Sequence, residues 1–234
     1  MITHLRSDLI GIRRAIVWHY LLVEGEEVVA LDTGMGTSAT KIQKWFAHTG
    51  RRPDQLKAIL LTHGHLDHAG CAMKLKRWSG APIFLHHADW PIAAGSFPYR
   101  GSSRVCGMLE SLGRPLFRYH RPHVDFSFEN GQELPFWGGL KVVHLPGHTL
   151  GHVGFYSESK QVLFIGDCIL SRGDRCFFPL PIFNVDSQLN KKSVTRTAEL
   201  NAEFVYPMHH VNLTTNLMPQ IRSYAEKVAV SQII

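Results

Sequence analysis

Cysteine is scarce in this chain, and none of its four copies (Cys71, Cys106, Cys168, Cys176) falls in a paired or C-x-x-C spacing. Nothing therefore marks a disulfide framework. Long apolar runs are missing as well: no stretch approaches the roughly 18 residues that a membrane helix requires. The opening MITHLRSDLIG has no long apolar core behind a basic start, so a secretory leader is not expected and a reducing cytoplasm is. No G-x-S-x-G elbow appears, which leaves the serine-hydrolase route without support. Acids are outnumbered, with 19 Asp and Glu against 25 Lys and Arg. That balance favours anionic partners in general. No zinc-finger, RNA-recognition or helix-turn-helix signature turns it into a specific nucleic-acid site. Low-complexity tracts and short repeats are also absent. What remains is a chain of 234 residues, long enough to bury a core and expected to form one domain over residues 1–234.

Histidine, by contrast, is plentiful, with 15 copies. Between Thr62 and Gly70 the sequence reads THGHLDHAG, placing His63, His65, Asp67 and His68 within six positions. Imidazole nitrogen and carboxylate oxygen are the ligands that a borderline ion such as Zn²⁺ prefers. The apolar run Ala58 to Leu61 just before them reads as a buried strand. His63 and His65, two apart on an extended stretch, point the same way. Asp67 and His68 follow at a helix entry. Further candidates recur at strand ends: His148 in LPGHTLGH, Asp167 closing VLFIGD, and His209 in the PMHH that follows FVYP. Cys168 follows Asp167, and alternation along an extended stretch turns its side chain away from the metals. His4, His19, His48, His86, His87, His120, His123 and His144 lack this setting and read as structural or surface residues.

The coarse path predicts a hairpin of Arg14 to Val23 with Glu27 to Leu31, then a helix over Thr37 to Thr49. The Ala58 strand, a helix from Asp67 to Trp78 and a strand from Pro82 to Leu85 make a β-α-β series. Strands follow near Gly139 to His144, Val153 to Tyr156 and Gln161 to Ile165. A helix over Asp186 to Leu200, a strand at Phe204 to Tyr206 and a helix from Pro219 to Val230 close the chain. Strands followed by helices in each half predict an α/β (α+β) fold, a four-layer αββα sandwich.

The order H-x-H-x-D-H, then His148, Asp167 and His209, resembles that of the metallo-β-lactamase fold hydrolases, over nearly the whole length. The resemblance implies that His63, His65 and His148 hold one metal ion and that Asp67, His68 and His209 hold another, with Asp167 bridging. It implies two divalent ions, zinc first, with manganese or iron as alternatives. Asp32 in LDTG and His152 look like the family residues that support the ligands from behind. The family often has Gly-His-Gly at the last ligand; here Met208, His209 and His210 stand there, and aligning Pro207 selects His209. Two ions sharing a water would lower its pKa towards neutrality and direct the hydroxide at a carbonyl or phosphoryl centre. Asp67 would orient the nucleophile and shuttle its proton.

Within the family, true β-lactamases mostly lack an Asp at the position of Asp167, so that activity is not expected. The segment after His209 is too short for the full helical extension of glyoxalase II enzymes. Short glyoxalase-like hydrolases fit, and the expected reaction is cleavage of an ester, thioester or lactone. A phosphodiesterase of the same fold, a mononuclear iron persulfide dioxygenase and a metal-binding sensor are the alternatives. The substrate is expected to be a small molecule. Between Gly95 and Asp125 a basic insertion sets Arg100, Arg104, Arg114, Arg118 and Arg121 against one acid, Glu110. It reads either as a solvated loop or as a cover that draws an anionic substrate through Arg114, Arg118 and Arg121. The FFPLPIF stretch from Phe177 to Phe183 reads either as a loop packed on the core or as an apolar wall for an acyl group.

Overall fold

Residues 1–96, 98–210 and 215–231 are described by a computed structural model. The first half forms a six-stranded sheet in simple sequence order: β1 (Ile2–Arg6), β2 (Leu9–Arg14), β3 (Val17–Glu24), β4 (Glu27–Leu31), β5 (Leu56–Leu60) and β6 (Ile83–Phe84). β1 to β4 are antiparallel, whereas β5 joins β4, and β6 joins β5, in parallel. The parallel pairings require crossovers, and helices supply them: α1 (Ser38–His48) before β5, then α2 (Leu66–Ala69) and α3 (Ala72–Ser79) before β6.

Beyond β6 lie α4 (Trp90–Ala93) and α5 (Arg104–Leu116). The second sheet follows, with β7 (Glu133–Leu134), β8 (Leu140–His144), β9 (Val153–Ser157) and β10 (Val162–Gly166). A small hairpin of β11 (Leu170–Arg172) and β12 (Arg175–Phe177) leads to α6 (Ser187–Thr197). β13 (Phe204–Pro207) then pairs in parallel with β10, and α7 (Met218–Ser231) covers the outside. The second sheet runs β13-β10-β9-β8-β7.

Strand alternation builds the layers. On β3, Trp18, Tyr20 and Leu22 face the other sheet, while Leu21 faces α1 and α3. On β10, Val162 and Phe164 meet the first sheet, while Leu163 and Ile165 meet α6 and α7. Period-two alternation with both faces apolar is what a central strand between two cores requires. The result is three apolar cores between four layers, the expected αββα sandwich.

Several features depart from the sequence reading, α4, β7 and the β11–β12 hairpin among them. The N-terminal segment forms the β1–β2 hairpin, which has no strong turn signal. The helix expected from Asp67 to Trp78 is broken, because the Cys71 N–H donates to the Gly34 carbonyl (2.9 Å) and so docks the LDTG loop against it. The basic segment contains a 13-residue helix, α5, despite Gly107, Gly113 and Pro115. Tertiary packing of its buried Cys106, Gly107 and Glu110 overrides these breakers.

Phe164 is fully buried between the sheets, with ring centroids 5.3 Å from Tyr20, 5.5 Å from Tyr206 and 5.8 Å from Trp137. Phe164→Ala should lower unfolding free energy by about 3–5 kcal/mol through lost burial and a cavity. A urea titration at constant slope checks this; a loss below about 1 kcal/mol would mean that the two sheets repack freely.

Candidate metal centre

The centre forms where β4, β5, β8, β10 and β13 end, on one rim of the sandwich. After β5 the chain bends at Thr62, and His65, in extended backbone (φ −66°, ψ 153°), leads into α2. Asp32, just past β4, organises this turn. Its carboxylate accepts the Thr62 N–H, the Thr62 hydroxyl and the His68 Nδ1, each at 2.8 Å. With Nδ1 engaged, the His68 Nε2 points inward. The Thr33 hydroxyl also donates to the His68 carbonyl (2.7 Å).

The first triad comprises His63, His65 and His148, whose ligand atoms lie within 4.8 Å of one another. His63 Nδ1 meets the Thr62 hydroxyl at 3.0 Å, and His148 Nδ1 meets Asn184 Oδ1 at 3.1 Å. The opposite nitrogens of both rings converge on His65 Nδ1, each at 3.1 Å. Gly147 carries φ +133° before His148, and any Cβ there would run into the Asn190 backbone, so α6 can approach this turn only over a glycine.

Asp67, His68 and His209 form the second triad, and His63, His68 and Asp167 a third overlapping group. Asp167 Oδ2 stands between them, 3.1 Å from His209 Nε2, 3.2 Å from His68 Nε2 and 3.7 Å from His148 Nε2. Asp67 Oδ2 lies 3.2 Å from His209 Nε2 and 3.5 Å from His68 Nε2. His152 sits behind, its Nε2 accepting the Asp167 N–H (3.0 Å). A side chain at Gly166 (φ +61°) would strike that imidazole.

Electrostatics separates the triads. Burial, followed by neighbouring histidines, holds His63 far below its ordinary value, and burial is also the main cause that lowers His65 to about 4 and His148 to about 3. These rings are neutral and present lone pairs. Burial opposes charge on His68 and His209 too, but Asp167 and Asp67 outweigh it, raising His68 strongly and His209 to about 10. Burial likewise opposes ionisation of Asp67 and Asp167, yet the neighbouring histidines hold both carboxyls well below the usual range. A buried carboxylate, Asp167, and a half-buried one, Asp67, thus demand cations, which protonated imidazoles supply here and a divalent ion would supply better, releasing those protons. The orphaned atoms agree. His65 Nε2 and Asp167 Oδ1 are buried with no hydrogen-bond partner among the described residues. Neutral imidazoles converging beside paired carboxylates fit a divalent metal.

His210 is turned the other way. It stacks on Trp18 (4.3 Å between centroids) and reaches the Tyr20 hydroxyl at 3.4 Å, away from the ligands. The Cys168 thiol is buried among the residues under α6 and α7, 3.7 Å from the Leu145 carbonyl. The arginines of the basic segment are placed differently from the expectation of a charged cover. Arg114 is consumed by Glu110 (3.0 Å) and the Ile92 carbonyl (2.9 Å), because Glu110 is buried and needs a counter-charge. Arg121 lies beside Gly95, and Arg118 lines a separate cleft. None of the three lines the metal cavity. That cavity, about 350 Å³, is walled instead by apolar residues that include Leu66, Leu109, Phe117 and Phe183.

Several supporting residues carry no motif. Buried Asp89 accepts the Gly64 N–H (2.9 Å), the Gly151 N–H (2.7 Å) and the Thr149 hydroxyl (2.6 Å), joining the two histidine loops. Burial lifts its carboxyl to about 6, against the pull of those donors. Glu110 accepts the Leu66 N–H (2.5 Å), and Asn184 aims His148. A lone acid in HHADW gives no periodic or spacing signal that would reveal it.

Comparison with known proteins bears on the family and the fold. The model of the metallo-beta-lactamase superfamily matches residues 13–209. The probable metallo-hydrolase YflN of Bacillus subtilis is 27% identical over 208 residues, covering 82% of this chain and 78% of its own. The hydroxyacylglutathione hydrolase GloC of Haemophilus influenzae is 33% identical over 169 residues, covering 68% of this chain and 71% of its own. Among solved structures, that of TTHA1623 in a di-iron-bound form is 29% identical with a TM-score of 0.67, covering 90% of this chain and 95% of its own.

Asp89→Ala would strand two backbone N–H groups and a hydroxyl inside the protein. Each unpaired group costs about 1–3 kcal/mol, so a total near 3 kcal/mol is expected, together with earlier loss of metal to a chelator. Thermal unfolding of the metal-loaded variant and a chelator competition check both; an unchanged midpoint would mean that water replaces the carboxylate.

Proposed function

The chain belongs to the metallo-β-lactamase superfamily and is a metal-dependent hydrolase; we propose that it works with two divalent ions, zinc first, to cleave an ester, thioester or lactone. One observation carries the reading. The Oδ2 of a single carboxylate, Asp167, lies within 3.7 Å of nitrogens from both triads, which supports a ligand shared by two ions. In this reading His63, His65 and His148 hold one ion, Asp67, His68 and His209 the other, and Asp167 both.

Bound divalent ions supply acidified water and polarisation of the scissile oxygen. The chain's own residues supply orientation. Asp32 and Asn184 fix which nitrogen His68 and His148 present, and a wrong tautomer at either would block a ligand site. Asp67 lines the cavity with its carboxylate ionised. A carboxylate held so low suits accepting a hydrogen bond from the attacking water better than storing its proton. The apolar wall excludes bulk water and receives an acyl group. Phe183, at the end of FFPLPIF, belongs to that wall. The one thiol lining the cavity, Cys106, is pushed up to about 12, by burial first and Glu110 next, so it stays protonated and offers no thiolate nucleophile. A thioester leads the list because GloC is by name a hydroxyacylglutathione hydrolase.

Elemental analysis of purified protein should find close to two ions per chain, and a chelator should abolish hydrolysis of an ester, thioester and lactone panel. Asp167→Ala should weaken both sites, whereas His148→Ala should weaken mainly one. Full activity with a single ion would sink the shared-carboxylate reading. Oxygen uptake with glutathione persulfide, and no hydrolysis of the panel, would move the assignment to an iron dioxygenase.

A further inference from the structure

A second concavity, about 560 Å³, shares Phe117 with the metal cavity. Its lining includes Arg14, Lys74, Arg77, Arg118 and His120, and no carboxylate. These groups converge from separate parts of the chain. Arg14 ends β2, Lys74 and Arg77 lie one turn apart on α3, and Arg118 and His120 follow α5. Among the described residues none of Arg14, Lys74, Arg77 or Arg118 pairs with a carboxylate, in contrast to Arg114. Lys74 Nζ donates only to the Thr40 hydroxyl (3.2 Å), and the Arg14 guanidinium lies over the Phe117 ring at 5.2 Å. Arg118 holds φ +52° as the left-handed cap of α5, its N–H donating to the Pro115 carbonyl (3.1 Å) and the Tyr119 N–H to the Arg114 carbonyl (2.9 Å), which turns the chain towards the cleft. Cations gathered without acids repel one another, and an anion relieves that repulsion.

Phe117 lines both concavities, and adjacent residues divide between them, Met35 facing the metals and Gly36 the basic cleft. Resting on the hydrolase reading above, we propose that this cleft binds the anionic end of the substrate while its scissile bond lies at the metal centre. The volume is that of a small-molecule site rather than a nucleic-acid track. Arginine forks together with an ammonium suit phosphate oxygens first and carboxylates next.

The test uses three thioesters of one acyl group: coenzyme A (phosphates), glutathione (carboxylates) and N-acetylcysteamine (neutral). The readout is kcat/KM for each charged thioester divided by that for the neutral one, in metal-loaded protein. In a Lys74→Gln, Arg77→Gln, Arg118→Asn variant this ratio should fall about tenfold, the loss of a few exposed charge contacts. Asn is chosen because it tolerates left-handed backbone. A Lys74→Arg, Arg77→Lys variant should retain the ratio, separating charge from folding. A larger fall for coenzyme A assigns the cleft to phosphate, and for glutathione to carboxylate. A ratio unchanged for both overturns the proposal. Calorimetry with ADP and with glutathione reads the cleft without turnover, and about tenfold weaker binding of either by the triple variant supports it. No binding, or equal binding by wild type and variant, refutes the cleft. Failure to cleave any thioester, ester or lactone would instead refute the hydrolase reading.

Discussion

Everything at the rim of the sandwich hangs on the carboxylate of Asp32. It lies one residue past β4, in left-handed backbone (φ +56°), and it is almost completely buried. A buried carboxylate is costly unless its lone pairs are taken. Here they are taken by the backbone and hydroxyl of Thr62 and by His68. These bonds tie the end of β4 to the end of β5 and to the first turn of α2. The three fix the loop from which His63, His65, Asp67 and His68 project. The same pattern recurs on the other half. The Asp167 N–H is held by His152, and His148 by Asn184. A polar frame surrounds these imidazoles and carboxylates and fixes their orientation.

That frame explains why so much of the centre was legible in the sequence. A tight H-x-H-x-D-H run, a turn after an apolar strand at His148 and a glycine-closed strand before Asp167 are local signals. His209 and His210 part company through strand geometry. Neighbouring residues on an extended segment face opposite ways, so His209 turns to Asp167 while His210 stacks on Trp18. The layers were equally readable, because both faces of β3, β5 and β10 are apolar and alternate between two cores.

Illegible features depend on long-range partners. Asp89 acquires its role from donors 25, 60 and 62 residues away. α5 contains two glycines and a proline, within a segment rich in arginine, all of which read as a surface loop. Its helical state follows from what its inner face meets. Gly113 packs so closely on Leu66 that a side chain there would clash, and Glu110 needs Tyr99, Arg114 and the Leu66 N–H to be buried at all. Charge counting along this segment could not distinguish Arg114, spent on Glu110, from Arg118, turned to the cleft beside Phe117.

The bond between Glu110 and Leu66 joins two things usually considered apart. Leu66 lies between the ligands His65 and Asp67, and its N–H is held by the helix that walls the cavity. Any outward swing of α5 wide enough to admit a bulky molecule must therefore stretch or break a bond to the loop that carries His65 and Asp67. Widening the entrance and loosening that loop are one mechanical event. The protein can be generous at its door only by being less retentive at its centre, which favours substrates slim enough to enter with the helix in place.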